Sequence, residues 1–199
     1  MSILVLTSDT LIGTPATGNL EYNGQFFGTD SNASRAQMQR LVLETSKAST
    51  SGTSLDFSNI PAWAKRITVM FQGVSTNAVG SFAVIVQLGV SGTPTTSGYT
   101  SAVTTIGSST VATTTGSTAG FPANQSIANA AVFTGQMVIS NITGNTWVAS
   151  SNCARTDSAT ITLSDGSVAL SGTMNLVRIT TTGGTDAFDA GTVNILYEG

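Results

Sequence analysis

The sequence predicts an all-β protein: an antiparallel β-sandwich or jelly-roll-like domain preceded by a small N-terminal β-hairpin arm. Three observations carry this. Close to three residues in ten are Ser or Thr, and Thr, Val and Ile, whose branching at Cβ stiffens χ1, suit a pleated surface. Helix builders are scarce: charged residues are 9% of the chain, and Ala is scattered rather than periodic. Several segments alternate apolar and polar residues with period 2, separated by turns drawn from the 21 glycines.

In chain order, Ile3, Val5 and Leu11 suggest a short extended piece, followed by the turn-rich GTPATG. In NLEYNGQFFGT, Leu20 and Tyr22 share one face of a short strand with Glu21 on the other, Asn23-Gly24 signals a two-residue hairpin, and Phe26-Phe27 begin the return strand. SRAQMQRLVLETSK alone has a helical flavour, with Ser34 as cap and Arg35, Met38, Gln39 and Val42 on one face, and reads as a turn of helix running into a strand. The Ser/Thr/Gly segment at 49–53 is a joint, which divides the chain into an arm, 1–50, and a sandwich domain, 51–199.

Pro61 restricts Ile60 to extended conformations, so NIPAW is a bend entering a strand, with Trp63 buried against the sandwich end. Lys65 and Arg66 then start the strand with side chains diverging to opposite faces: a solvated Lys, and an Arg that pairs with a nearby carboxylate or carbonyl. Ile67, Val69 and Phe71 point one way and Thr68, Met70 and Gln72 the other; Phe82, Val84, Val86 and Leu88 form a second half-buried strand. The Ser/Thr/Gly stretch from Gly89 to Gly120 is too long for a structureless loop and is expected to hold an edge strand or a functional surface loop. VFTGQMVIS and TWVASS flank NITGN as a hairpin, and SATITL and SVALSG flank Asp165-Gly166 as another. In NLVRITTT, Leu176 and Arg178 oppose Val177 and Ile179, and in TVNILYE, Val193, Ile195 and Tyr197 share a face. The total is roughly eight strands with regular turns.

Composition narrows the chemistry. There is no His and one Cys, Cys153, so no zinc site, no Ser-His or Cys-His nucleophile and no intrachain disulfide can be built. Carboxylate chemistry remains, from Asp9, Glu21, Asp30, Glu44, Asp56, Asp157, Asp165, Asp186, Asp189 and Glu198. Most stand beside turn residues, where an Asp binds backbone rather than substrate. Asp186 and Asp189 are the closest pair, and D-x-x-D in a loop is weighed as a calcium ligand against a loop that caps its own backbone. Seven basic against ten acidic residues give a net charge of −3 with no cluster beyond Lys65-Arg66, which argues against a nucleic-acid partner. No apolar run approaches a membrane span, and MSILVLTSDT lacks the parts of a signal peptide and reads as a strand. The sequons at Asn32, Asn124 and Asn141 are those expected by chance in so hydroxyl-rich a chain.

Two stretches resemble bacteriophage proteins. FSNIPAWAKRITVMFQGVSTN, VQLG and the closing VRITTTGGTDAFDAGTVNILYEG resemble a β-sandwich domain found at the C-terminal end of tail-fibre-like proteins, over about Leu55 to Gly199. GTPATGNLEYNGQFFGTDSNASR resembles a second phage element, matched by Thr14, Pro15, Ala16, Gly18, Glu21, Tyr22, Asn23, Gly24, Phe26, Phe27 and Arg35. The middle, about Ser91 to Gln125, lies outside the resemblance. What the resemblance implies is a virion structural protein without a catalytic motif, cofactor or metal, assembled in the host cytoplasm, homo-oligomeric and trimeric by preference, and in contact with other virion proteins. It is expected as a tail-fibre or tail-tip component. The absence of a long repetitive shaft keeps a head fibre or capsid decoration protein as the alternative, and a carbohydrate depolymerase as a lesser one. A host surface glycan is a further expected partner, to be met by the Thr-rich stretch with Trp147 or Tyr99 as a stacking ring.

Overall fold

The computed structural model describes residues 13–14, 16–23, 25–77, 81–107, 113–125, 127–128 and 131–199. The expected strand around Ile3, Val5 and Leu11, and Asp9, lie outside the described residues. The chain divides into two compact units, Met1–Arg40 and Leu41–Gly199. The boundary falls ten residues before the joint read from the sequence, since 41–48 pair with strands of the larger unit.

The smaller unit is a three-stranded antiparallel sheet of β1 (Leu20–Tyr22), β2 (Phe26–Thr29) and β3 (Arg35–Gln37). The hairpin at Asn23 is present, with Tyr22 opposite Phe26, so three residues rather than two make its loop. The turn of helix expected from Ser34 is absent. Arg35–Gln37 pairs with β2 as a strand, because Arg35 reaches back across the sheet to a buried Glu21. Its Nε and Nη2 donate to the two Glu21 oxygens at 2.7 and 3.1 Å. A bidentate pair of this kind outweighs a few tenths of a kcal/mol of helix propensity. The Asp30 carboxylate accepts from the backbone N–H groups of Asn32 and Ser34 and shapes the turn between β2 and β3.

The larger unit is a sandwich of antiparallel sheets. One layer has β4 (Leu41–Leu43) at one end, followed across the sheet by β19 (Phe188–Glu198), β7 (Arg66–Thr76), β15 (Phe133–Thr143), β16 (Thr146–Arg155), β17 (Thr160–Ala169), β11 (Thr100–Gly107) and β12 (Thr113–Ser117). The short β5 (Lys47–Ala48) also pairs with β19. The other layer runs β6 (Ser54–Ser58), β18 (Met174–Thr181), β9 (Val84–Val90), β10 (Thr93–Pro94), with β13 (Phe121–Pro122) also on β9. β8 (Ser81–Phe82) and β14 (Ile127–Ala128) pair separately. Among the described residues there is no helix.

The core lies between the layers, and the period-2 reading places the inward residues of β7 and β19, while the strand expected over Phe82 to Leu88 differs: Phe82 belongs to β8, and β9 is buried on both faces, Ile85 and Gln87 included. Ile67, Val69 and Phe71 of β7, Val193, Ile195 and Tyr197 of β19, Val84, Val86 and Leu88 of β9, and Val177 and Ile179 of β18 are all buried together. The bend at NIPAW holds: Asn59 adopts φ 61°, a left-handed conformation that Asn tolerates, and Ala64 N–H donates to Pro61 O at 3.0 Å. Trp63 packs on the core edge, its ring centroid 5.5 Å from that of Tyr197.

The hairpin expected at Asp165-Gly166 is wrong. β17 passes straight through both residues, paired with β16 on one side and β11 on the other. Gly166 serves close approach rather than a turn: a Cβ there would lie 2.4 Å from Ser101 Cβ of β11. The true hairpin between β15 and β16 turns at Gly144-Asn145, inside the expected loop. The Gly89–Gly120 stretch contains β10, β11 and the edge strand β12, so the expectation of an edge strand holds.

Candidate functional site

Each candidate acid among the described residues has a place. Glu198 pairs with Arg66 at 3.1 Å, Asp56 with Arg178, and Asp157 with Arg155. The Arg155 hydrogen bond holds the Asp157 carboxyl below its ordinary value. Tyr197 OH donates to Glu44 at 3.1 Å, and burial followed by this carboxylate raises the phenol above its ordinary value. Asp189 accepts from Ser75 Oγ. Asp189 is thus tied to β7, while Asp186 lines a cavity of its own. Among the described residues no three Cys, Asp or Glu side chains gather as a metal site, and no helix is long and apolar enough to cross a membrane. Arg66 behaves as expected. Lys65 is exposed and lies just before β7, which starts at Arg66; its backbone N–H donates to Glu198 O.

The expected sugar platform is overturned. Trp147 and Tyr99 are only 3% and 2% exposed, so neither presents a ring to a ligand. Tyr99 instead stacks edge-on against Phe121 at 4.9 Å, and its hydroxyl accepts from the buried Leu88 N–H at 2.8 Å. The burial of Trp147 follows the alternation of β16, with Ala149 also buried, whereas Tyr99 stands between Gly98 and Thr100 in a hydroxyl-rich stretch that hid its burial.

What the Thr-rich stretch does build is a groove. Residues of β12 and the following turn (Thr115, Ser117, Thr118) face the 182–186 connection across a cavity of about 470 Å³. Its floor is apolar and buried: Ile85, Val103 and Pro122. Exposed Thr115, Thr118, Thr182 and Gly183 form the rim, and half-buried Asp186 supplies the cavity's one carboxylate. A second cavity of about 280 Å³ shares Ala119, Thr182 and Gly183 with the first and so lies beside it. It adds Thr53, Ser54, Thr96, Thr180 and Arg178. Arg178 is held by Asp56 through bonds of 2.7 and 2.6 Å, and this bond raises its pKa further. The Gln87 amide anchors the shared wall by donating to Ala119 O at 2.9 Å. Thr181, in the same wall, has a buried hydroxyl with no partner among the described residues.

A second feature is the outer face of the larger layer. Residues directly opposite across a ladder share a face, and one row runs Leu43, Leu196, Thr68, Val138, Ser150, Asp165, Ala102. Neighbouring rows hold Met70, Gln136, Asn152, Leu163 and Thr104, then Ile161 and Ile106. In these rows the one charge is Asp165, with the Arg66–Glu198 pair beyond one edge of them, and the exposed Asp189 of β19, bonded by Ser75 Oγ, stands toward the other end of that strand. Leu41, Leu43, Ile106, Ile161 and Leu163 are 37 to 60% exposed. Sequence reading missed this face because its signal is cross-strand adjacency, and the false turn at Asp165 had removed β17 from it. No family model, curated protein or solved structure matches this chain.

Proposed function

We propose that the protein is a bacteriophage virion structural component, a tail-fibre or tail-tip subunit, that assembles with copies of itself through the outer face of its larger layer. The observation that carries the reading is that face. A solvated antiparallel sheet ordinarily turns polar and charged side chains to water; this one turns mainly aliphatics and uncharged hydroxyls outward, and a second copy seated on it has to leave Asp165 in contact with water or supply it with a donor. Seven strand spacings of about 4.8 Å by about six residues of 3.3 Å give a face of roughly 34 by 20 Å. That is on the order of the ~800 Å² per partner that a stable interface buries. The separate Met1–Arg40 unit, with its resemblance to a phage element, is the natural attachment to other virion proteins.

Light scattering of the full chain tests this. We expect a mass of two or more copies, three in the favoured assembly, and dissociation to monomer when Ile161→Glu and Leu163→Glu are combined, with the β-type circular dichroism retained. A wild-type monomer ends the self-association reading. Labelled chain located on particles by electron microscopy separates a tail component from a capsid decoration protein, and absence from particles ends the virion reading.

A further inference from the structure

We infer that the groove between β12 and the 182–186 connection is a binding site for an uncharged saccharide unit. The inference does not depend on self-association or on the virion assignment. Its chemistry follows from the lining. The cavity of about 470 Å³ falls in the range of small-ligand sites. Thr115, Ser117, Thr118 and Thr182 offer hydroxyls that both donate and accept, and Gly116 and Gly183 add lining positions without side chains of their own. A ligand that is itself both donor and acceptor at many positions, a polyol, satisfies such a rim.

The floor of Ile85, Val103 and Pro122 suits the C–H face of a sugar ring. Asp186 decides the charge. It lines the cavity, and among the described residues no cation pairs with it. A carboxylate accepts hydrogen bonds from two adjacent hydroxyls and repels a carboxylate, phosphate or sulfate on the ligand. Arg178 lies in the adjoining cavity and is occupied by Asp56, so it does not reverse this preference.

The test uses the full-length protein in its native assembly on an array of neutral, sialylated and phosphorylated glycans, with saturation-transfer NMR against glucose, galactose and N-acetylglucosamine. Binding is expected from neutral members. Asp186→Asn, which keeps the shape and removes the charge, should weaken it by about tenfold, the worth of charge-assisted hydrogen bonds. Thr118→Trp, on the exposed rim, should abolish it by filling the mouth. Unchanged circular dichroism and mass of both variants show that the fold and assembly survive. No binding to any neutral glycan, a preference for charged glycans, or binding indifferent to both substitutions overturns the inference.

Discussion

Tyr99 and Cys153 set the alkaline limit of this fold. Burial raises the Tyr99 phenol from its ordinary 10.0 to about 12, against a smaller opposing effect of the Leu88 N–H, and raises the Cys153 thiol from 9.0 to about 12. In the unfolded chain both groups lose their protons at ordinary values. Above about pH 9 the unfolded state therefore binds fewer protons than the native one, and stability falls as pH rises toward 12. Both residues are 2% exposed or less, so solvent does not screen the effect. The unfolding free energy read from urea titrations is expected to be flat from about pH 7 to 8.5 and to drop above, by a few kcal/mol at pH 11. Cys153→Ala should remove the part of the drop that begins near pH 9. A flat profile to pH 11 would contradict the burial of both groups. Tyr99→Phe leaves the buried Leu88 N–H without its partner and should cost about 1–3 kcal/mol at neutral pH, read by urea unfolding.

Among the elements, β17 is the most exacting. Gly166→Ala puts a methyl 2.4 Å from Ser101 Cβ and 2.9 Å from Thr100 O, so β11 must shift away from β17. Overpacking of this kind costs about 1–3 kcal/mol, and Ser101→Gly in the same chain should restore part of it, since Ser101 Oγ also donates to Ser117 O and Gly120 O. No rescue would place the strain elsewhere. This strand also shows why legibility was uneven. β7, β9, β18 and β19 were readable because their inward positions are Ile, Val, Leu, Phe and Tyr. The inward positions of β17 are Thr162, Ser164, Gly166 and Val168, with Thr162 and Ser164 buried. Their hydroxyls are satisfied across the layer, Ser164 by Ser151 at 2.7 Å and Thr162 by Thr105 at 3.3 Å. A core lined with paired hydroxyls erases the apolar alternation on which strand reading rests. The groove was legible only as a Thr-rich stretch in need of an explanation, and its partner, the 182–186 connection, is over sixty residues away along the chain.

The chain divides into two units, and among the described residues strands pair only within each: β1–β3 in one, β4 onward in the other. A chain beginning at Leu41 is therefore expected to melt within a few degrees of the full chain. A peptide of residues 1–40, with three short strands and too few residues to bury a core, should show no cooperative melt by calorimetry. A large fall in melting temperature on truncation would mean that the sandwich draws on the smaller unit. Within the sandwich, β19 sits between β7 and the pair β4 and β5, while β18 sits between β9 and β6. The layer built on β18 cannot close until the ribosome has delivered residues through Thr181, and the larger layer not until Glu198. A half-made polypeptide thus shows naked hydrogen-bonding edges to its neighbours on a polysome, the situation that invites mispairing, and slowing synthesis by lowering the culture temperature should raise the soluble fraction recovered.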